Sequence, residues 1–151
     1  MTEFFERIYE IIAGKTPIKG DCGDLCGAAC CKGDDKTGMR LFPGEQVSSE
    51  FTVENGTAVC KGRCTRENRP LACRIFPFLP ILKEDGRITV QPDAGAYKIC
   101  PLLQNLDIVR IDRDFLRSVR KAGRYMSSDP KCREYLVEIS RENEKLIKLI
   151  F

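Results

Sequence analysis

The sequence predicts a small, irregular α+β fold, in which cysteine-rich loops and short β-hairpins pack with an N-terminal helix and two C-terminal helices. Apolar residues repeat with helical spacing near both ends of the chain, and two alternating segments in the middle each contain an Asn-Gly or Asp-Gly turn. Cysteine and glycine are concentrated between these regions. With 151 residues the chain has the length of one ordinary domain, so residues 1–151 are predicted to form a single domain.

Helical periodicity predicts an N-terminal helix that Thr2 caps and Gly14 ends. Its apolar face would consist of Phe4, Phe5, Ile8, Ile11 and Ile12. A C-terminal helical segment of about 112–150 is predicted to hold two helices, one over about 113–125 and one that begins at Asp129-Pro130. The inward-facing residues expected on these two helices are Phe115, Leu116, Val119, Tyr135, Leu136, Ile139, Leu146, Ile147 and Ile150.

The middle of the chain is predicted to contain small strands. Residues 51–59 alternate around Asn55-Gly56, and both of these residues tolerate the positive φ angles of a tight hairpin turn. Residues 81–90 form a second predicted hairpin that turns at Asp85-Gly86. By contrast, residues 16–36 are rich in Gly, Asp and Cys, which indicates a loop or short helical turns.

The composition excludes several classes of protein. The chain is 42% hydrophobic and 31% charged, which is typical of a globular protein and not of a disordered or fibrous one. Acidic residues interrupt the apolar positions at the start, so a signal peptide is not expected, and no apolar run reaches the roughly 18 residues of a transmembrane helix. These features predict a cytoplasmic protein that does not associate with membranes. A formal charge of +3 is too small to indicate a nucleic-acid partner by itself.

The nine cysteines are the strongest functional signal in the sequence. Their number is odd and the chain is long enough to fold without covalent cross-links, so a disulfide framework is disfavoured and metal binding is favoured. Eight of them lie in a predicted metal-binding segment of about 20–102, and all eight are candidate ligands: Cys22, Cys26, Cys30, Cys31, Cys60, Cys64, Cys73 and Cys100. Cys132 lies on the final predicted helix and is interpreted as a thiol outside the cluster.

The chain contains no histidine, and this narrows the chemistry. A histidine-based catalytic zinc site and the Cys-His and Ser-His nucleophilic arrangements are excluded. All-sulfur ligation suits structural zinc or an iron–sulfur cluster. Since adjacent side chains usually diverge, the Cys30-Cys31 pair suggests more than one metal ion. The third cysteine of a radical-type iron–sulfur motif would fall at position 29, which is Ala29, so that enzyme class is not indicated.

Basic residues are concentrated in the sequence around Cys64 and Cys73. Residues 61–74 contain Lys61, Arg63, Arg66, Arg69 and Arg74 but only one acid, Glu67. Arg69 and Arg74 are predicted to lie behind the metal ligands, where they would donate to cluster sulfurs or orient a bound anion. The alternative is a solvated basic loop without a ligand.

These residues resemble the YkgJ-like family of zinc- or iron-chelating cysteine-cluster proteins, over about half of the chain. The family's opening cysteine run ends in a Cys-Cys pair, which Cys30-Cys31 matches. Its Arg-Pro and Cys-Arg-x-aromatic-Pro-Phe block matches residues 69–78, and its last cysteine corresponds to Cys100. Longer spacers in the opening run and a short spacer between Cys60 and Cys64 depart from the pattern. The resemblance implies metal binding, described in the family as chelation of zinc or iron and in some members as iron–sulfur oxidoreductase activity.

Three functional hypotheses follow. The first is a structural or chelating metal-binding module with zinc or iron in an all-cysteine site, which would present a surface to a protein partner. The second is an iron–sulfur protein that acts in electron transfer or as an oxidoreductase or transferase. The third, a nucleic-acid-binding zinc module, is disfavoured because few aromatic residues accompany the basic ones. The apolar ending at 146–151 also offers the C-terminal helix a contact with a second copy of the chain.

Overall fold

The structure is a computed structural model that describes residues 3–18, 39–60, 66–98, 100–104 and 110–150. The helices of this part of the chain are α1 (Glu3–Ile12), α2 (Leu71–Ile75), α3 (Pro101–Gln104), α4 (Arg113–Met126) and α5 (Pro130–Ile150). The strands are β1 (Met39–Arg40), β2 (Phe51–Glu54), β3 (Thr57–Cys60), β4 (Phe78–Leu82) and β5 (Ile88–Pro92). Single 3₁₀ turns occupy Arg66–Asn68 and Ala94–Lys98. The predicted small α+β fold is confirmed.

The first sheet is antiparallel, with the strand order β1-β3-β2. Strands β2 and β3 form the predicted hairpin, in which Phe51 pairs with Cys60 and Glu54 pairs with Thr57. Asn55 and Gly56 at the turn have φ angles of 50° and 74°. Two consecutive positive φ angles match the right-handed twist of the flanking strands, which is why the Asn-Gly pair indicated this hairpin.

The second sheet is the β4–β5 hairpin, in which Phe78 pairs with Pro92 and Leu82 pairs with Ile88. The turn contains the predicted Asp85-Gly86, and the Lys83 amide donates to the Arg87 carbonyl at 2.8 Å. The strands extend beyond the predicted 81–90. The added residues include Pro80 and Pro92, and proline normally argues against a strand. In a two-stranded hairpin a proline is tolerated where its missing N–H would not face the partner strand.

Helices α4 and α5 both pack against the β4–β5 hairpin. Gly123 of α4 lies so close to it that an added Cβ would be 2.7 Å from Pro80 Cβ and 2.9 Å from Ile88 Cγ2. Arg120 of the same helix donates from Nε to the Ile88 carbonyl at 2.9 Å. The absence of a side chain at position 123 therefore sets how closely the helix approaches the strands.

Helix α1 packs against α4, where Phe4 and Tyr125 stack with their ring centroids 5.1 Å apart. The predicted cap Thr2 lies outside the described residues. The starts of the C-terminal helices are confirmed: the Asp112 carboxylate accepts from the Asp114 amide at 2.8 Å, and the Asp129 carboxylate accepts from the Cys132 amide at 3.0 Å. The largest fully buried side chains include Phe5, Ile8, Leu71, Ile75, Leu102, Phe115, Val119, Met126 and Leu136.

The predicted apolar face of α5 is wrong in its second half. Leu136 and Ile139 are buried as expected, but Leu146 and Ile150 are each 48% exposed. The reason is that α5 packs mainly against β4 and the turn Ala94–Lys98, and its buried face ends at Asn143.

Two polar residues of α5 bond directly to the β4–β5 hairpin and the turn that follows it. Ser140 Oγ accepts from the Leu82 amide at 2.9 Å. Asn143 accepts from the Ala94 amide at 2.9 Å and donates to the Pro92 carbonyl at 3.1 Å. These bonds satisfy backbone groups that would otherwise be buried without partners.

Among the described helices, none combines the length and the apolar character that are needed to cross a membrane.

Candidate functional site

Three of the eight predicted ligands fall in the described part of the chain. Cys60 is the last residue of β3, Cys73 is the central residue of α2, and Cys100 directly precedes α3. The other five, Cys22, Cys26, Cys30, Cys31 and Cys64, lie outside the described residues, as do the basic residues Lys61 and Arg63.

The β4–β5 hairpin brings the segments that carry Cys73 and Cys100 to the same end of the molecule. The chain continues from α2 into β4, whose first residue is Phe78. The segment with Cys100 follows β5, and the last residue of β5, Pro92, pairs with Phe78. The pairing continues past the strands, because the Asp93 amide donates to the Pro77 carbonyl at 2.8 Å. Cysteines that are 27 positions apart in sequence therefore lie on segments that start from adjacent strand ends.

Backbone hydrogen bonds hold both segments in place. The Cys100 amide donates to the Ala96 carbonyl at 2.8 Å, and the Cys100 side chain is only 6% exposed. The Cys73 amide donates to the Pro70 carbonyl at 3.0 Å, and its side chain is partly exposed. Within the described ranges, no three cysteine, aspartate or glutamate side chains converge as a group that could hold a metal ion. A complete site of the predicted kind would need some of the five cysteines outside these ranges.

Cys132 has a different environment. It lies fully buried on α5, with Sγ 3.8 Å from the Pro43 carbonyl oxygen. Burial raises the pKa of the Cys132 thiol to about 12, and the negative charge of Asp129 acts in the same direction. A thiol with such a pKa is neither a good nucleophile nor a ready metal ligand at neutral pH.

A buried carboxylate, Glu45, connects α1 and the segment that follows β1 to the start of α2. Its Oε2 accepts from the Tyr9 hydroxyl at 2.5 Å and from the Leu71 amide at 2.7 Å. Its Oε1 accepts from the Phe42 amide at 3.1 Å. Glu45 is 7% exposed, so these three donors replace the water that a carboxylate normally binds.

The Glu45–Tyr9 contact changes the ionisation of both groups. Burial raises the pKa of Glu45, while the hydrogen bonds from Tyr9, Leu71 and Phe42 oppose that change. Burial also raises the pKa of Tyr9, and the negative charge of Glu45 adds to the effect. Sequence reasoning did not identify either residue, because their contact joins positions 36 apart. The sequence indicates Tyr9 only weakly, because its hydroxyl is a polar group beside the apolar face of α1.

Arg74 follows Cys73 and is held by three contacts. Its guanidinium carbon lies 4.2 Å from the centroid of the Tyr9 ring, Nε donates to the Arg69 carbonyl at 2.7 Å, and Nη2 donates to the Glu67 carbonyl. Burial lowers the pKa of Arg74, and the negative charge of Glu45 acts in the opposite direction. The guanidinium thus fastens the turn Arg66–Asn68 to α2.

A surface cavity of about 240 Å³ lies beside this arrangement. We call it the arginine cavity. Its described lining includes Tyr9, Gln46, Ser48, Asn68, Arg69 and Arg74, with Glu67 as the one acid among the described lining residues. The structure therefore places both predicted arginines, Arg69 and Arg74, around one cavity and brings the second of them next to Cys73.

Comparisons with protein-family models, with curated proteins and with solved structures find no match to this chain. The resemblance to the YkgJ-like cysteine-cluster proteins thus stays a prediction from the quoted motifs.

Proposed function

We propose that this chain is a metal-binding cysteine-cluster protein of the YkgJ-like kind, which holds zinc or iron through cysteine thiolates. The observation that carries the proposal is the concentration of eight of the nine cysteines between positions 22 and 100 of a chain without histidine. The proposed ligands are drawn from Cys22, Cys26, Cys30, Cys31, Cys60, Cys64, Cys73 and Cys100, a set large enough for more than one ion. Four thiolates complete a tetrahedral zinc site, so eight match two such sites in number.

Two structural observations support the proposal. Cys73 and Cys100 lie on segments that the β4–β5 hairpin brings to one end of the molecule. Cys132 is fully buried on α5, where burial raises the pKa of its thiol to about 12. Arg74 is positioned beside Cys73, and a neighbouring cation lowers the energy of a thiolate. A protein partner for the module, and a second copy at the end of α5, remain predictions from the sequence.

The alternative is an iron–sulfur protein that acts in electron transfer or as an oxidoreductase or transferase. It uses the same all-sulfur donor set, since iron–sulfur clusters and structural zinc are both held by thiolates. Hydrogen bonds and cations near the sulfurs tune the potential of such a cluster, and Arg74 would act in this way from its position next to Cys73. Iron, zinc and acid-labile sulfide, measured together on anaerobically purified protein, separate the two candidates. Iron with equivalent sulfide supports the alternative, and zinc without sulfide supports the first proposal.

Replacing Cys73 with serine is expected to lower the metal affinity by at least about 100-fold, because even loss of a hydrogen-bond partner of a ligand typically costs 10–100-fold. Metal per chain would be measured by elemental analysis after dialysis against a chelator. Circular dichroism would show whether the helices remain. Cys132→Ala is the matched control, because it removes a buried thiol that is not a proposed ligand. Equal metal content in the two variants would contradict the assignment of Cys73.

A further inference from the structure

The arginine cavity combines a positive charge with hydrogen-bond donors. Arg69 and Arg74 contribute two guanidinium groups to the described lining, in which Glu67 is the one acid. The Glu50 carboxylate accepts from the side-chain amide of Asn68, another lining residue, at 3.0 Å. Glu45 lies behind Tyr9, and its carboxylate is already occupied by donors from Tyr9, Leu71 and Phe42.

Arg74 is arranged in advance for an anion. A guanidinium has five N–H donors, of which Nε and one on Nη2 bond to the carbonyls of Arg69 and Glu67, so three remain. The contact with the Tyr9 ring, 4.2 Å from the guanidinium carbon to the ring centroid, also restrains the side chain. Because these contacts already fix the side chain, binding an anion costs little further conformational entropy.

Uncharged donors complete the lining. The side-chain amide of Gln46 has no hydrogen-bond partner among the described residues, and the hydroxyl proton of Ser48 has no acceptor among them. Ser48 Oγ only accepts, from the Glu50 amide at 3.3 Å. A cavity with guanidinium, amide and hydroxyl donors around it is complementary to an oxyanion.

We propose that the arginine cavity binds a small organic or inorganic oxyanion, whose carboxylate or phosphate group pairs with Arg69 and Arg74. A volume of about 240 Å³ is smaller than the usual range for drug-sized ligands, so the ligand is a small one such as phosphate or a short dicarboxylate. This inference does not depend on metal binding, since every group that it uses belongs to the described lining.

The test uses the full chain, with inorganic phosphate and succinate as probes in separate titrations. Amide and arginine Nε–H signals are followed by two-dimensional ¹H–¹⁵N NMR, at constant ionic strength set with chloride. We expect saturable shifts that centre on residues 46–48 and 67–74. Saturation by phosphate alone would identify a phosphate group as the ligand chemistry, and saturation by succinate alone would identify a carboxylate.

Arg69→Gln is expected to weaken binding by about tenfold, because it removes a charge-assisted hydrogen bond. Arg124→Gln removes the same charge from an exposed position on α4 and is expected to leave the affinity unchanged. Equal weakening in the two variants, unchanged affinity in Arg69→Gln, or the absence of saturable shifts in the unmodified chain would each overturn the proposal. The titration of the unmodified chain tests the proposal even if a variant fails to fold. If a bound metal alone held the anion, the Arg69→Gln variant would bind it with unchanged affinity. That result would overturn the proposal for this cavity and would leave the metal-binding proposal intact.

Discussion

Replacing Glu45 with alanine is expected to lower the free energy of unfolding by about 3 kcal/mol, because buried donors that lose their acceptor cost roughly 1–3 kcal/mol each. The variant leaves the Leu71 and Phe42 amides and the Tyr9 hydroxyl without the carboxylate oxygens that accept from them in the native chain. Relief of burying a charge offsets part of this loss. Urea unfolding followed by circular dichroism measures the difference.

Two further variants separate the carboxylate from its surroundings. Glu84→Ala removes an exposed glutamate from the β4–β5 turn and is expected to change stability by less than about 0.5 kcal/mol. Tyr9→Phe removes one of the three donors but leaves both backbone amides bonded, so it is expected to cost about 1 kcal/mol. A Glu45→Ala variant as stable as Glu84→Ala would show that these hydrogen bonds do not hold α2 in place.

The contribution of Glu45 is also expected to depend on pH. Because burial raises its pKa, the folded chain retains a proton at a pH where the unfolded chain has released it, above about 4.3. The stability that this retained proton confers is fully present below the unfolded pKa and is lost as the pH rises through the folded pKa. The difference between the native chain and Glu45→Ala should therefore decrease from acidic to neutral pH. A difference that increases would mean that the folded state favours the charged form.

Gly123→Ala is expected to destabilise the protein by about 2 kcal/mol, although alanine is the better helix former by about 1 kcal/mol. The new methyl group would lie 2.7 Å from Pro80 Cβ and 2.9 Å from Ile88 Cγ2. Both atoms belong to a hairpin whose strands are paired along their length, so they cannot move away independently. Thermal or urea unfolding gives the change in stability.

The control for Gly123→Ala is Lys121→Ala, an exposed position two residues earlier on the same helix. Combining Gly123→Ala with Ile88→Ala removes one of the clashing atoms, so the double variant should be more stable than the sum of the single changes predicts. A Gly123→Ala variant as stable as the native chain would contradict the close approach of α4 to the hairpin.

Local patterns predicted the regular elements of this chain well. The Asn55-Gly56 turn, the Asp85-Gly86 turn and the Asp129 cap were all identified, because each depends on residues within a few positions of one another. Helices α2 and α3 were missed. At five and four residues they are too short to show a period, and the burial of Leu71 and Leu102 against distant residues stabilises them.

The candidate site was predicted only in part. Motif spacing pointed to Arg69 and Arg74, and both line one cavity, but no local pattern indicated that Glu45 and Tyr9 support it. The error at Leu146 and Ile150 has a related cause. An apolar period shows which face of a helix is hydrophobic, but how much of that face is buried depends on the length of the neighbouring element.

Asn143 and Ser140 have a consequence for how α5 docks. Sliding the helix by one turn, about 5.4 Å, would bring Ile139 or Ile147 opposite the Ala94 amide and the Pro92 carbonyl. Neither isoleucine can bond to those backbone groups, so each slipped arrangement would bury polar atoms without partners. Apolar contacts alone would tolerate such a displacement. The two polar side chains discriminate between neighbouring alignments of α5 and exclude those one turn away.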